Sequence, residues 1–171
     1  NKIEESRYDS DGSLSWKDLY KYNMQGKMIE RSQYNSSGYL SDKDVYKYDL
    51  QGNEIDCADY NKNGELDEKR LTKYDWQGKK VEAAWFNQNG SLDRRYTYKY
   101  DAQGNQVEYA YYDSNGVYGW KETSEYDSYG NLLVWSDIRG GDNTLYGKWI
   151  YKYNEKGDKI ELKKCNGDGT V

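Results

Sequence analysis

The segment Asp59-x-Asn61-x-Asn63-Gly64 opens like a calcium-binding loop, with oxygen donors at alternate positions and Gly at the sixth. Such a loop closes on a bidentate Glu at its twelfth position, where this chain has Arg70. No metal and no cofactor are expected. The sequence contains 0 His, which removes the commonest general base and metal ligand. Cys57 and Cys165 have no neighbouring group in the sequence that would stabilise a thiolate. Paired carboxylates can hydrolyse glycosides, but Glu82 and Glu108 recur once per repeat beside a basic column, as a structural ladder would. The chain is read as a non-enzyme.

Rings carry the remaining chemistry. The chain has 21 Tyr and 6 Trp, and such rings stack on sugar faces and on one another. The recurrent Tyr positions fit cross-strand packing, so the irregular rings are the better ligand candidates. We single out Trp76, Trp85, Trp120, Trp135 and Trp149. Arg139 joins them, because it lies where the pattern breaks, in Ile138-Arg-Gly-Gly-Asp-Asn-Thr-Leu145. A protein or a glycan is the partner expected there.

The elements that position these residues follow from a repeat. Tyr-[Asp/Asn]-x-x-Gly occurs with its Tyr at 22, 48, 74, 100, 126 and 153, five copies 26 residues apart and the sixth after 27. A second set has its aromatic at Tyr8, Tyr34, Tyr60, Phe86 and Tyr112. Asp or Asn opens a type I turn and Gly closes it in the left-handed conformation, which is hairpin chemistry. The 171 residues then hold about 6.5 repeats in one repeat domain and about 13 strands. Pro is absent, as an uninterrupted ladder requires.

Alternation gives each strand two faces. It places Leu14, Tyr20 and Tyr22 on one face, with Lys17, Leu19 and Lys21 on the other. Lys17, Lys43, Lys69, Arg95, Lys121 and Lys148 form one basic column, and Lys21, Lys47, Lys73, Lys99 and Lys152 a second. Glu4, Glu30, Asp56, Glu82, Glu108 and Glu161 face them as cross-strand ion pairs. A small residue recurs at Ser6, Ser32, Ala58, Ala84, Ala110 and Ser136, where crowding is expected.

Composition narrows the partners. Net charge is -5, so nucleic acid is not expected. No apolar run is long enough for a transmembrane helix. Leu, Ile, Val and Phe make up only about 14 % of the chain, below the ~20 % level that signals disorder in highly charged chains, but net charge is low and the rings supply what aliphatics lack. In an open sheet the two Cys lie about 40 Å apart, which makes them free thiols in different strands.

The strings Tyr46-Lys-Tyr48-Asp49-Leu-Gln-Gly52-Asn53 and Tyr98-Lys-Tyr100-Asp101-Ala-Gln-Gly104-Asn105 resemble the YD repeat of the Rhs family. That resemblance covers nearly the whole chain, although the family's unit is nearer 20 residues. It implies a piece of a longer, secreted or surface-exposed bacterial protein, often carbohydrate-associated, whose sheets spiral into a shell. Gly64-Glu-Leu66 is similar to the MORN-like repeat, another β-hairpin array.

The fold class expected is all-β: a repetitive antiparallel β-hairpin meander in an open, twisted or spiral sheet, with a closed barrel as the alternative. The function expected is a non-catalytic structural or interaction module, with carbohydrate binding as the alternative.

Overall fold

The computed structural model describes residues 1–167 and Thr170. Thirteen strands follow one another: β1 (Glu4–Tyr8), β2 (Leu14–Tyr22), β3 (Met28–Asn35), β4 (Leu40–Tyr48), β5 (Glu54–Asn61), β6 (Leu66–Tyr74) and β7 (Lys80–Asn87), then β8 (Leu92–Tyr100), β9 (Gln106–Tyr112), β10 (Tyr118–Tyr126), β11 (Leu132–Arg139), β12 (Thr144–Tyr153) and β13 (Lys159–Asn166). They form one sheet in chain order, with β1 and β13 at its ends. The sheet is therefore open, and the barrel alternative is not formed. Among the described residues no helix is long and apolar enough to cross a membrane. The chain divides into two compact units, Asn1–Asp93 and Arg94–Val171, described separately below.

The turns work as their residues dictate. Between β2 and β3 the Gly26 amide donates to the Asn23 carbonyl (3.0 Å) and the Asn23 amide to the Lys27 carbonyl (2.9 Å). The Asn23 side-chain oxygen accepts from the amides of Gln25 (3.0 Å) and Lys27 (2.9 Å). Gly26 sits at φ 76°, where a Cβ would be strained. The segment that opens like a calcium-binding loop is the same device: Asn61 Oδ1 accepts from the amides of Asn63 (2.9 Å) and Glu65 (3.2 Å).

In the first unit one face carries the ordered columns. Lys17 pairs with Tyr34, Leu19 with Ser32 and Lys21 with Glu30 across β2–β3. Glu30 takes Lys21 (2.8 Å) on one side and Lys43 (3.0 Å) on the other, and Asp56 likewise takes Lys47 (3.2 Å) and Lys69 (3.3 Å). Between these ion pairs Ser32, Ala58 and Ala84 are buried, since only a small side chain fits beneath the flanking lysine stems and aliphatics. The second unit repeats the scheme, with Lys99–Glu108 and Lys152–Glu161 at 2.8 Å and Arg95 stacked on Tyr112 (4.3 Å).

One placement differs from the alternation argument. Arg7 pairs with Trp16 but Tyr8 with Leu14, so Ser15 is an extra residue in β2. That bulge returns Leu14 to the face of Lys17 and Leu19, away from Tyr20. The same shift brings Leu66, Lys69, Leu71 and Phe86 around one hollow.

Bulges also explain the Tyr at each hairpin start. Tyr22 pairs with Met28 while Lys21 pairs with Glu30, leaving Ile29 as the extra residue. The Tyr48 hydroxyl, from the next hairpin, donates to the Met28 carbonyl (2.8 Å), and Tyr74 does the same to Glu54 (3.1 Å). These Tyr residues tie successive hairpins together where the ladder is interrupted. Tyr48→Phe is expected to lower stability by about 1 kcal/mol in urea unfolding. Tyr22→Phe, whose hydroxyl has no such bond, is expected to leave the midpoint unchanged.

Candidate functional site

The face opposite the ordered columns differs from hairpin to hairpin. In the first unit it is charged. Asp18 is 3 % exposed and its Oδ2 accepts from Arg31 Nε (3.0 Å) and Nη2 (2.8 Å) and from the Tyr20 hydroxyl (3.2 Å). Asp44 stands directly opposite Asp59, and Asp59 opposite Glu68. Burial and the Asp59 charge push the Asp44 carboxyl above its ordinary range, against the pull of the Tyr46 hydroxyl and Arg31. Cys57 lies beside this row, and burial together with Asp59 pushes its thiol up to about 12. Both cysteines are free thiols, and Cys57 is held in its unreactive protonated form.

A raised carboxyl binds its proton more tightly folded than unfolded. Its stability penalty is present at neutral pH and is relieved as pH falls through the folded pKa. Asp44→Asn is thus expected to raise stability at pH 7 by about 0.2–1 kcal/mol, the range for one unfavourable cross-strand pair. The gain is expected to vanish on acidification below the carboxyl range, as read from unfolding midpoints at several pH values.

In the second unit the same side of the ladder is a floor of rings. Tyr98 pairs with Tyr109 and Tyr96 with Tyr111 across β8–β9, while Trp120 pairs with Tyr111 across β9–β10. Tyr109 stacks on Tyr98 (5.0 Å) and Tyr96 (5.5 Å) and meets Trp120 edge-on (5.2 Å). Burial and the neighbouring Tyr98 and Tyr96 push the Tyr109 hydroxyl up to about 12. Tyr111 stacks on Trp120 at 5.9 Å.

Glycines make room for two of these rings. At Gly119 a Cβ would lie 2.7 Å from the Tyr111 ring, and at Gly147 one would lie 2.7 Å from the Trp149 ring. At both places a ring occupies the space that a Cβ would need. Trp149 also pairs with Trp135, directly opposite it, with centroids 4.4 Å apart.

The candidates from sequence fall into three places. Trp120, Trp135, Trp149 and Arg139 share the ring-bearing face of the second unit. Arg139 stands opposite Trp120, grips Asp137 through Nε (2.9 Å) and Nη2 (2.7 Å), and covers the Tyr146 ring (5.1 Å). Its charge is matched by Asp137, so it frames the floor. Trp85 lies in the first unit, beside Arg70 and over a hollow with Glu54 and Tyr74. Trp76 stands at a hairpin tip, 86 % exposed.

Sequence reasoning missed Tyr96, Tyr98, Tyr109 and Tyr111. The available signal was Tyr at alternate positions, 96 and 98 then 109 and 111, where the equivalents of Tyr96 are Asp18, Asp44 and Arg70 and those of Tyr109 are Arg31, Cys57 and Ala83. The irregular stretch between Val134 and Trp149 contains a connection, Gly140–Asn143, with Asn143 at φ 60°. Ile138 there takes the ring-column position, and Tyr146 is the bulge residue. Among the described residues no group of three or more His, Cys, Asp or Glu is placed to hold a metal ion.

No family model and no curated protein matches this chain. Among solved structures it is similar to TcdB2-TccC3-TEV, with a TM-score of 0.67 and 14 % identity over 98 % of this chain and 9 % of that one. A porin-like protein from Bacteroides uniformis gives a TM-score of 0.42 at 12 % identity, covering 90 % of this chain and 60 % of that one, which is too slight to argue from. The first likeness is one of fold, to a small part of a much longer chain.

Proposed function

We propose that this array of β-hairpins is a non-catalytic structural and interaction module. Its ordered face would hold the hairpins in register, and its varied face would meet the partner. The observation that carries this reading is the contrast between the two faces within each unit. Lysine, carboxylate and small residues recur on one side at fixed register, whereas the other side changes from an acid-rich surface to a floor of rings. Closely paired rings at Gly119 and Gly147 give the second unit a broad, rigid surface at low cost in side-chain entropy, the character of a recognition surface. The fold likeness to part of a larger chain supports a role within a bigger assembly, and the YD-repeat resemblance supports an exported or surface setting.

A photo-crosslinking amino acid at position 120, on the ring floor, is expected to capture a partner that the same probe at position 121, on the ordered face, does not. Equal capture from both positions would sink the reading.

The ring floor itself favours a second reading, carbohydrate binding by stacking. Tryptophan fluorescence titrated with a panel of oligosaccharides separates the two. A saturable shift lost in Trp120→Ala supports the glycan, and no shift with any member of the panel removes it. As for catalysis, Glu82 and Glu108 are engaged by Lys73 and Lys99, each at 2.8 Å. Glycoside hydrolysis by the unaltered chain that disappears on Glu82→Gln or Glu108→Gln would overturn the non-catalytic assignment.

A further inference from the structure

Several carboxylates of the varied face are matched with arginines. Arg31 gives Nε (3.0 Å) and Nη2 (2.8 Å) to Asp18 and lies 3.8 Å from Asp44, which stands opposite it. Arg70 takes Glu54 while covering the Trp85 ring at 6.0 Å, and Arg139 takes Asp137 while covering the Tyr146 ring at 5.1 Å. Glu122 occupies in β10 the place that Asp18 holds in β2 and Asp44 in β4. Asp44 stands between Arg31 and Asp59, whereas Glu122 stands between Tyr109 and Asp137. The position that carries a guanidinium beside Asp44 thus carries a phenol beside Glu122. Among the described residues the half-buried Glu122 carboxylate accepts no hydrogen bond and forms no ion pair.

Asp137 adds to this charge instead of relieving it. Arg139 gives its Nε and Nη2 to Asp137, so the three groups together keep a net negative charge. What surrounds Glu122 is aromatic. Trp120 lies two residues earlier on the same face, and Tyr109 lies directly across β9–β10. Those two rings meet at 78° with centroids 5.2 Å apart, and Tyr96 adds a third ring 6.4 Å from Trp120 at 63°. The face of such a ring attracts a cation. Rings beside an unmatched carboxylate suit a cation with a flat body, which can lie on a ring and give two parallel N–H groups to the carboxylate.

We propose that this corner of the ring floor receives an arginine side chain of a partner polypeptide, its guanidinium lying on Tyr109 and Trp120 and paired with Glu122. The proposal rests on the reading of the ring floor as the surface that meets a partner, and it names the residue that the partner presents there. Arginine follows from the chain's own usage. Where the varied face joins a cation to both a ring and a carboxylate, at Arg70 and Arg139, the cation is a guanidinium, while lysines serve the carboxylates of the ordered face. A polypeptide follows from shape. Tyr96, Tyr98 and Tyr109 lie side by side as a broad floor, whereas small free ligands are held in concave sites. Arg, Tyr and Trp are also the residues on which the energy of protein interfaces concentrates. A neutral glycan would cover the rings and leave the charge at Glu122 and Asp137 uncompensated.

Proton–nitrogen correlation NMR of the full chain, titrated with acetyl-Gly-Arg-Gly-amide, tests this. Saturable shifts are expected at the Trp120 indole and at the amides of Tyr109 and Glu122. The peptide with citrulline in place of arginine keeps the shape without the charge, and it is expected to bind about tenfold more weakly. The lysine peptide is expected to bind more weakly than the arginine one. Glu122→Gln is expected to keep the fold, since no internal partner is lost, and to weaken the arginine peptide roughly tenfold. Glu125→Gln, the same change of charge on the ordered face, is expected to bind like the unaltered chain. The citrulline comparison needs no variant, so it decides the matter even if Glu122→Gln perturbs the fold. No shift with the arginine peptide, citrulline or lysine binding equally well, shifts confined to the acid-rich strands of the first unit, or undiminished binding by a folded Glu122→Gln chain would each overturn the proposal. Stronger shifts of the same resonances with neutral cellotriose would overturn it in favour of the glycan. The wider reading is judged apart: capture from position 120 that persists in Glu122→Gln removes the arginine and leaves the interaction surface standing.

Discussion

Tyr109→Ala is expected to lower the unfolding free energy by about 3 kcal/mol and the melting temperature by roughly 6–12 °C. Tyr109 is the ring on which the second unit's floor converges, within 5.5 Å of Tyr96, 5.0 Å of Tyr98 and 5.2 Å of Trp120. Truncation removes three ring contacts at once and opens a gap that β8, β9 and β10 cannot close, because their spacing is fixed by the ladder. Tyr109→Phe keeps the ring and is expected to cost less than 1 kcal/mol. Differential scanning calorimetry of the three proteins checks the size of the effect. Hydrogen exchange checks its location, with lost protection expected in β8–β10 and the first unit unchanged. An equal loss for Phe and Ala would shift the explanation from the ring to the hydroxyl.

Gly147→Ala is expected to cost about 1–3 kcal/mol, an unusual penalty for a Gly in an extended strand, where Ala is ordinarily neutral or better. The added Cβ would lie 2.7 Å from one Trp149 ring atom and 2.8 Å from another, so the ring must leave its place. Trp135, which faces that ring at 4.4 Å, loses its partner at the same time. The near-ultraviolet circular dichroism and fluorescence of the Trp pair are expected to change while the far-ultraviolet spectrum does not. Gly141→Ala, whose Cβ would meet nothing, is the matched control. A Gly147→Ala protein with native Trp signals would show that the ring is not seated on the backbone.

Both effects concern features that the sequence conveyed unevenly. Hairpin chemistry is local: an Asn or Asp at one position and a Gly three later are sufficient for the turn, so strand number, order and direction could be read directly. The ion pairs of Lys21 with Glu30 and Lys47 with Asp56 were legible for the same reason, since identical spacing puts identical columns side by side. Leu14 was not, because alternation counts one face change per residue and the bulge at Ser15 absorbs one. The ring floor was hidden more thoroughly. Tyr98, Tyr109 and Trp120 become neighbours only once three strands are in register, and nothing in the sequence marks Gly119 or Gly147 as a seat for a ring rather than a loop residue. Trp76 stood out from its place in a turn, and the structure leaves it exposed there.

Strand order equal to chain order has a mechanical consequence. Tension applied through the ends of the chain would load the outermost ladder first, one hydrogen bond after another, instead of shearing many bonds together. The sheet should therefore peel strand by strand at low force, in a staircase of small extensions. Each released hairpin would carry its own turn and register code, and could zip back against its neighbour when the tension falls. Such a chain behaves less like a bolt than like a spring with discrete, reversible clicks.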